Sequence, residues 1–243
     1  MPVMIVTGAS AGIGRAVAEA ALHEGWQVAC LARRIEPLEV VAALGDGLAL
    51  VCEVADPVAV EAAFAATVAR FGRIDVLFNN AGVFPKGALI DEMDLADWDR
   101  AVSVNLNGMI YCARAAFAQM RAQSPQGGRI INNGSIAGQV PRPRSLAYTV
   151  TKHAINGLTK QLALDGRGFD IAAGQIDVGN ARTELAARME AGVLQADGSV
   201  RSEPMMDARD VARAVLHMAS LPPGANVLNM TVMATEMPFV GRG

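Results

Sequence analysis

Short apolar runs alternate with stretches of helical spacing along almost the whole chain. The runs Val3–Thr7, Gln27–Ala32, Leu48–Cys52, Ile74–Phe78, Arg129–Asn133, Asp170–Gln175 and Asn226–Thr231 have the length and character of buried strands. Between them, Ile13–Glu24, Val58–Phe71, Leu95–Arg121, Ala147–Gly166 and Asp207–Ser220 space their apolar residues three and four apart, which predicts helices. Near-continuous apolar strands separated by helices imply a parallel sheet covered on both faces. With right-handed crossovers, the expected fold is α/β, a doubly wound parallel sheet of about seven strands. Gly179–Pro204 interrupts the rhythm with mixed polar residues, and a connection of that length predicts a lid over residues 180–204.

Composition narrows the class further. Hydrophobic residues make up 52% of the 243 positions and charged residues 19%, which excludes disorder as the main state. No repeat, linker or change of composition divides the chain, so residues 1–243 read as a single domain. A net charge of -3 offers no basic face to a nucleic acid. No run approaches the roughly 18 apolar residues of a membrane span. Met1–Val6 has no basic flank and runs straight into a glycine turn, as a strand does and a secretion signal does not, so a cytoplasmic protein is expected. Cys30, Cys52 and Cys112 lie in apolar stretches without C-x-x-C spacing and read as small buried hydrophobes. His23, His153 and His217 are too scattered for a metal site, and no metal is expected.

The first strand leads into Thr7-Gly8-Ala9-Ser10-Ala11-Gly12-Ile13-Gly14 and then into the first helix. Glycines there let the backbone approach a pyrophosphate, and a helix N-terminus presents free N–H groups and partial positive charge. Gly8, Ser10, Gly12, Ile13 and Gly14 are therefore the candidate dinucleotide contacts. The second strand ends in Ala32-Arg33-Arg34, with no acid to accept from a ribose 2′-hydroxyl. A charge-assisted hydrogen bond worth about 1.5–3 kcal/mol from Arg33, with Arg34 beside it, favours a 2′-phosphate, so the expected cofactor is NADP.

Tyr148-Thr149-Val150-Thr151-Lys152 places a phenol and an ammonium four positions apart, on one face of a helix. A fixed positive charge beside a phenol stabilises the phenolate and brings its proton into working range. Ser135 follows one predicted strand, Asn79-Asn80-Ala81-Gly82 follows another, and Asn105 lies in the next long helix. In an open parallel sheet, ligands bind outside the carboxyl ends of the strands, where these segments converge.

Together these motifs resemble the short-chain dehydrogenase/reductase family, with its Rossmann-type sheet, from Thr7 to the last strand. The resemblance rests on T-G-x-x-x-G-x-G, N-N-A-G, the helix asparagine and S-x(12)-Y-x-x-x-K in the family's order and spacing. It implies that Tyr148 is the general acid in reduction, that Lys152 lowers the tyrosine pKa and binds the nicotinamide ribose, and that Ser135 stabilises the substrate oxygen. Asn105 would hold a water linking Lys152 to solvent. Asn80, Ala81 and Gly82 would support the cofactor, Glu53 and Val54 would lie at its adenine, and Val178 and Thr183 would contact the carboxamide.

The sequence also departs from that family. Val178 stands where a proline is usual, which predicts a less rigid turn, and Glu53 replaces an aspartate. Ala11 stands where many NADP-bound relatives carry a basic residue. The resemblance implies a small-molecule carbonyl or alcohol substrate and a homodimer or homotetramer. One of Arg142 and Arg144 is expected to reach a substrate carboxylate or other anion, and Glu184, Leu185, Met189 and Val193 to form one wall of the pocket, with Phe84 and Pro85 on another. The alternatives are an NAD-dependent alcohol dehydrogenase of the same family and a non-catalytic dinucleotide-binding regulator. Ser135, Tyr148, Lys152 and Asn105, all present, argue against the regulator.

Overall fold

A computed structural model describes residues 1–184 and 192–240. Seven parallel strands form its main sheet: β1 (Val3–Thr7), β2 (Gln27–Ala32), β3 (Gly47–Val51), β4 (Val76–Asn79), β5 (Gly128–Asn133), β6 (Ile171–Gly179) and β7 (Asn229–Met233). Their order is β3-β2-β1-β4-β5-β6-β7, so the direction of winding reverses between β1 and β4. Side chains alternate across it. Met4, Val6, Val28 and Cys30 face one layer, where α1 (Gly12–His23) packs with the last described helix. Ile5, Ala29 and Leu31 face the other, against α3 (Pro57–Phe71) and α5 (Met109–Ala122). All three thiols are buried, which pushes Cys30 up to about 12 and Cys52 to about 11, so none is a ready nucleophile.

Local signals set the helix ends. Asp56 caps α3 by accepting from the Val58 N–H at 2.9 Å, Pro57 follows it, and Gly72 closes the helix with φ of 85°. The shorter α2 (Ile35–Ala42) fills the crossover after the two arginines. Arg129, the second residue of β5, is buried and donates to Asn226 Oδ1 and to the carbonyls of Leu221 and Ala225. That fork ties the central sheet to the connection before β7.

Two expectations change. The predicted helix Leu95–Arg121 is divided into α4 (Leu95–Ala101), a π turn over Val102–Gly108 and α5. Hydrophobic periodicity survives such an insertion, so the pattern alone did not reveal it. β6 runs four residues beyond Gln175, to Gly179. Val178, unlike proline, keeps its N–H and pairs in register with Val232, so the segment expected to be a looser turn is a strand.

The remaining helices are α6 (Leu146–Asp165) and α7 (Ala208–Ala219). No helix among the described residues is long and apolar enough to cross a membrane. Of the expected lid, Val193–Leu194 and Val200–Arg201 pair as a small antiparallel hairpin, and Ala181–Arg182 pairs with Met206–Asp207. Leu185 and Met189 lie outside the described residues.

Candidate active site

The turn after β1 holds Gly8 at φ of 70° and Gly12 at 56°, a backbone that favours glycine. Gly14 has a different constraint: a Cβ there would collide with the Gly8 carbonyl and the Asn80 amide. Its missing side chain lets α1 sit against the strand ends. Ala11, at the N-cap of α1, has no side chain able to cap the helix, and the first turn carries no acid. The free N–H groups there suit a pyrophosphate. Thr7 Oγ1 accepts from the N–H groups of Asn80 and Ala81 at 2.8 and 2.9 Å, locking the end of β4 to the turn. Asn80 Oδ1 in turn accepts from Asn133 Nδ2 at 2.8 Å. The buried Asn133 Oδ1 has no protein partner among the described residues. An unmatched acceptor in the wall beside the glycine turn fits a site built for a polar ligand.

A cavity of about 580 Å³ runs along this carboxyl edge of the sheet. Gly8, Ser10, Gly12 and Ile13 line it after β1, Arg33 and Arg34 after β2, and Glu53 and Val54 after β3. Asn80, Ala81 and Gly82 follow β4, Ser135 follows β5, Val178 and Thr183 lie at and beyond the end of β6, and Tyr148 and Lys152 come from α6. Gly14 and Asn105 alone among the candidates stand behind the wall. Arg33 and Arg34 are exposed at the rim, and Arg33 Nε lies 3.9 Å from Glu53 Oε2. Asn133 and Asn180 also line the cavity. The Gly179-Asn180 pair carried a turn signal for Asn180, whose φ is 51°.

At the inner end, Ser135 begins a short 3₁₀ turn, its Oγ accepting from the Ala137 N–H at 3.1 Å. Lys152 is only 4% exposed, and its Nζ donates to the Asn133 carbonyl at 2.7 Å. Burial pushes its ammonium down to about 8, while Asp177 acts to hold it up. The Tyr148 hydroxyl is raised above the ordinary 10, chiefly by burial; a hydrogen bond with Ser135 and the charge of Arg142 pull it back, and Asp177 raises it. Lys152 Nζ stands 5.6 Å from the centre of the Tyr148 ring, and the Phe84 ring packs on that tyrosine at 4.6 Å. The trio can therefore hold and move a proton at a substrate oxygen.

Asn105 sits in the π turn, fully buried. Its Oδ1 accepts from the Val83 N–H at 2.7 Å and its Nδ2 donates to the Val83 carbonyl at 2.9 Å. The side chain thus pins the segment after β4 to the helix that follows.

Arg142, one of the two arginines expected to reach a substrate, lines the cavity and is bonded within the protein. Its guanidinium makes a two-pronged bond to Glu203, at 3.1 and 2.7 Å, and a third bond to Asn180 Oδ1 at 3.0 Å. With side-chain exposures of 11% and 2%, this pair is a buried clasp in the wall of the cavity, its fork engaged by Glu203 and Asn180. Arg144 is exposed beside a second pocket of about 190 Å³, which borders Phe84, Pro85, Tyr148 and Val193.

Comparison with known proteins agrees with this arrangement. The family model for short chain dehydrogenases matches residues 2–193. A 3beta-hydroxysteroid dehydrogenase of Mediterraneibacter gnavus is 37% identical over 196 residues, covering 79% of this chain and 70% of that one. Sulfoacetaldehyde reductase 2 of Chromohalobacter salexigens is 31% identical over 242 residues, 98% and 96% of the two chains. Among solved structures, a serine dehydrogenase complexed with NADP+ superposes with a TM-score of 0.88 at 26% identity, covering 99% of this chain and 98% of its own. A 3-ketoacyl-(acyl-carrier-protein) reductase from Brucella melitensis complexed with NADH gives 0.86 at 25%, covering 97% and 98%. With Ser135, Tyr148 and Lys152 gathered beside a glycine-built dinucleotide cradle, the chain is an oxidoreductase and belongs to the short-chain dehydrogenase family.

Proposed function

We propose that the protein is an NADP(H)-dependent carbonyl reductase, reversible as an alcohol dehydrogenase, acting on a small carbonyl or hydroxy compound. The observation that carries this reading is the meeting of Ser135, Tyr148 and Lys152 at the inner end of a cavity whose outer part is the glycine turn and the open N-terminus of α1. When bound there, the nicotinamide supplies hydride. Tyr148 gives its hydroxyl proton to the carbonyl oxygen, and the Ser135 hydroxyl donates a hydrogen bond to the same oxygen as charge develops on it. The Lys152 ammonium stabilises the phenolate left behind. Asn105, its side chain bonded to Val83, would hold a water that links Lys152 to solvent.

Support for NADP is the pair Arg33 and Arg34 at the cavity rim, with Ala32 where an acid would stand. Glu53, 3.9 Å from Arg33, competes for that charge and favours the second reading, an NAD-dependent dehydrogenase. Titrating the protein with NADPH and NADH, followed by nicotinamide fluorescence, decides between them. Tenfold tighter NADPH binding is expected; preference for NADH would mean that Arg33 stays with Glu53. Residues 1–243 are taken as one cytoplasmic domain, working as a homodimer or homotetramer.

A further inference from the structure

Asp177 is a fully buried carboxylate that the reaction above does not use. Its Oδ1 accepts from the Ser135 N–H at 3.0 Å and from Gln175 Nε2 at 2.6 Å. Its Oδ2 accepts from Gln139 Nε2 at 2.8 Å and from Asn229 Nδ2 at 3.0 Å. All four donors are neutral, and no cation lies within ion-pair distance among the described residues. A buried charge held only by neutral dipoles is costly to keep.

Its position gives it a different use. The turn Asn133-Gly134-Ser135 is held at three points: Lys152 Nζ on the Asn133 carbonyl, the Gly134 N–H on the Ile176 carbonyl at 2.8 Å, and Asp177 on the Ser135 N–H. A Cβ at Gly134 would fall on Asp177 Oδ1, so that glycine is what lets the carboxylate come close. We propose that Asp177 is a positioning residue, an anion that fixes the turn presenting Ser135 and serves as counter-charge to Lys152 across that turn. This deepens the reductase reading and rests on it. The ionisable groups that Asp177 acts on are Lys152 and Tyr148, both on α6; Arg142 acts on Tyr148 from the loop before α6. From the other packed elements, Gln139, Gln175 and Asn229 present no charge.

The test uses the full chain carrying Asp177→Asn, a near-isostere. Lys86, Lys152 and Lys160 are the only lysines, so isotope-labelled lysine signals can be followed against pH and assigned with Lys86→Arg and Lys160→Arg. Without the anion, the Lys152 midpoint should fall about one pH unit below that of the wild type. The kcat should drop at least tenfold while dinucleotide affinity is kept. An unmoved Lys152 midpoint overturns the counter-charge role, and kcat within twofold of wild type overturns the positioning role; either result rejects the proposal. Gly134→Ala is the second variant, because its methyl group falls on Asp177 Oδ1 and forces the carboxylate and the turn apart. It should lose turnover and lower the Lys152 midpoint, and unaltered turnover would count against the proposal even if Asp177→Asn failed to fold. The lysine titration needs no substrate, so it stands even if the wild type turns over no carbonyl, a result that would reject the reductase reading instead.

Discussion

Lys152 shows how a single side chain sets both chemistry and stability. Its ammonium is held near 8 instead of the ordinary 10.5, because burial removes its water. A depressed pKa means that the unfolded chain binds the extra proton more tightly, so charged Lys152 opposes folding below pH 8 and stops doing so as pH rises toward 10.5. The wild type should therefore gain about 2 kcal/mol relative to Lys152→Met between pH 7 and pH 10. Urea denaturation at the two pH values measures this, and an unchanged difference would show that Lys152 titrates in the fold as it does in the unfolded chain. Tyr148→Phe removes only the proton donor. Turnover should fall at least about a hundredfold, with nicotinamide binding within twofold of wild type. Retained turnover would remove Tyr148 from the mechanism.

At the scale of elements, the site depends on how closely strand ends and helix starts approach one another. Gly14 sits where α1 meets the ends of β1 and β4, and alanine there would drive its methyl group into the Gly8 carbonyl. Gly14→Ala should weaken dinucleotide binding at least tenfold and cost about 1–3 kcal/mol, as overpacking does. Fluorescence titration and thermal melting check the two effects, and normal binding would show that the turn can open without loss. The π turn makes a related point, because the added residue in the helix brings Asn105 onto both backbone groups of Val83. The helical spacing of Leu95–Arg121 was legible, but an insertion that leaves the apolar stripe intact was not.

Across the whole molecule, the clasp of Arg142, Glu203 and Asn180 joins the loop before α6, the end of β6 and the chain returning toward α7. Burial pushes Glu203 up, but hydrogen bonds from Arg142, Gln195 and Asn180 outweigh it and hold the carboxyl near 2. Losing Arg142 strips a buried carboxylate of its charged partner, so Arg142→Met should cost about 3 kcal/mol in urea denaturation, with Arg144→Met nearly neutral. Equal effects would mean the pair contributes nothing. That stabilisation exists above the ordinary glutamate value of 4.5 and should disappear as pH falls toward 2. The amino-acid sequence by itself determined the alternation of strand and helix, the glycine turn, and the spacing of Ser135, Tyr148 and Lys152. Those features depend on hydrophobic period and on residues near one another in the chain. Tertiary structure alone decided that Arg142 is spent on Glu203, that β6 runs through Val178, and that Asp177 lies under Ser135. Each depends on partners that are distant in sequence, Glu203 being 61 residues from Arg142 and Asp177 being 42 from Ser135. Hydrophobic period carries no record of which polar side chains will meet when the sheet closes.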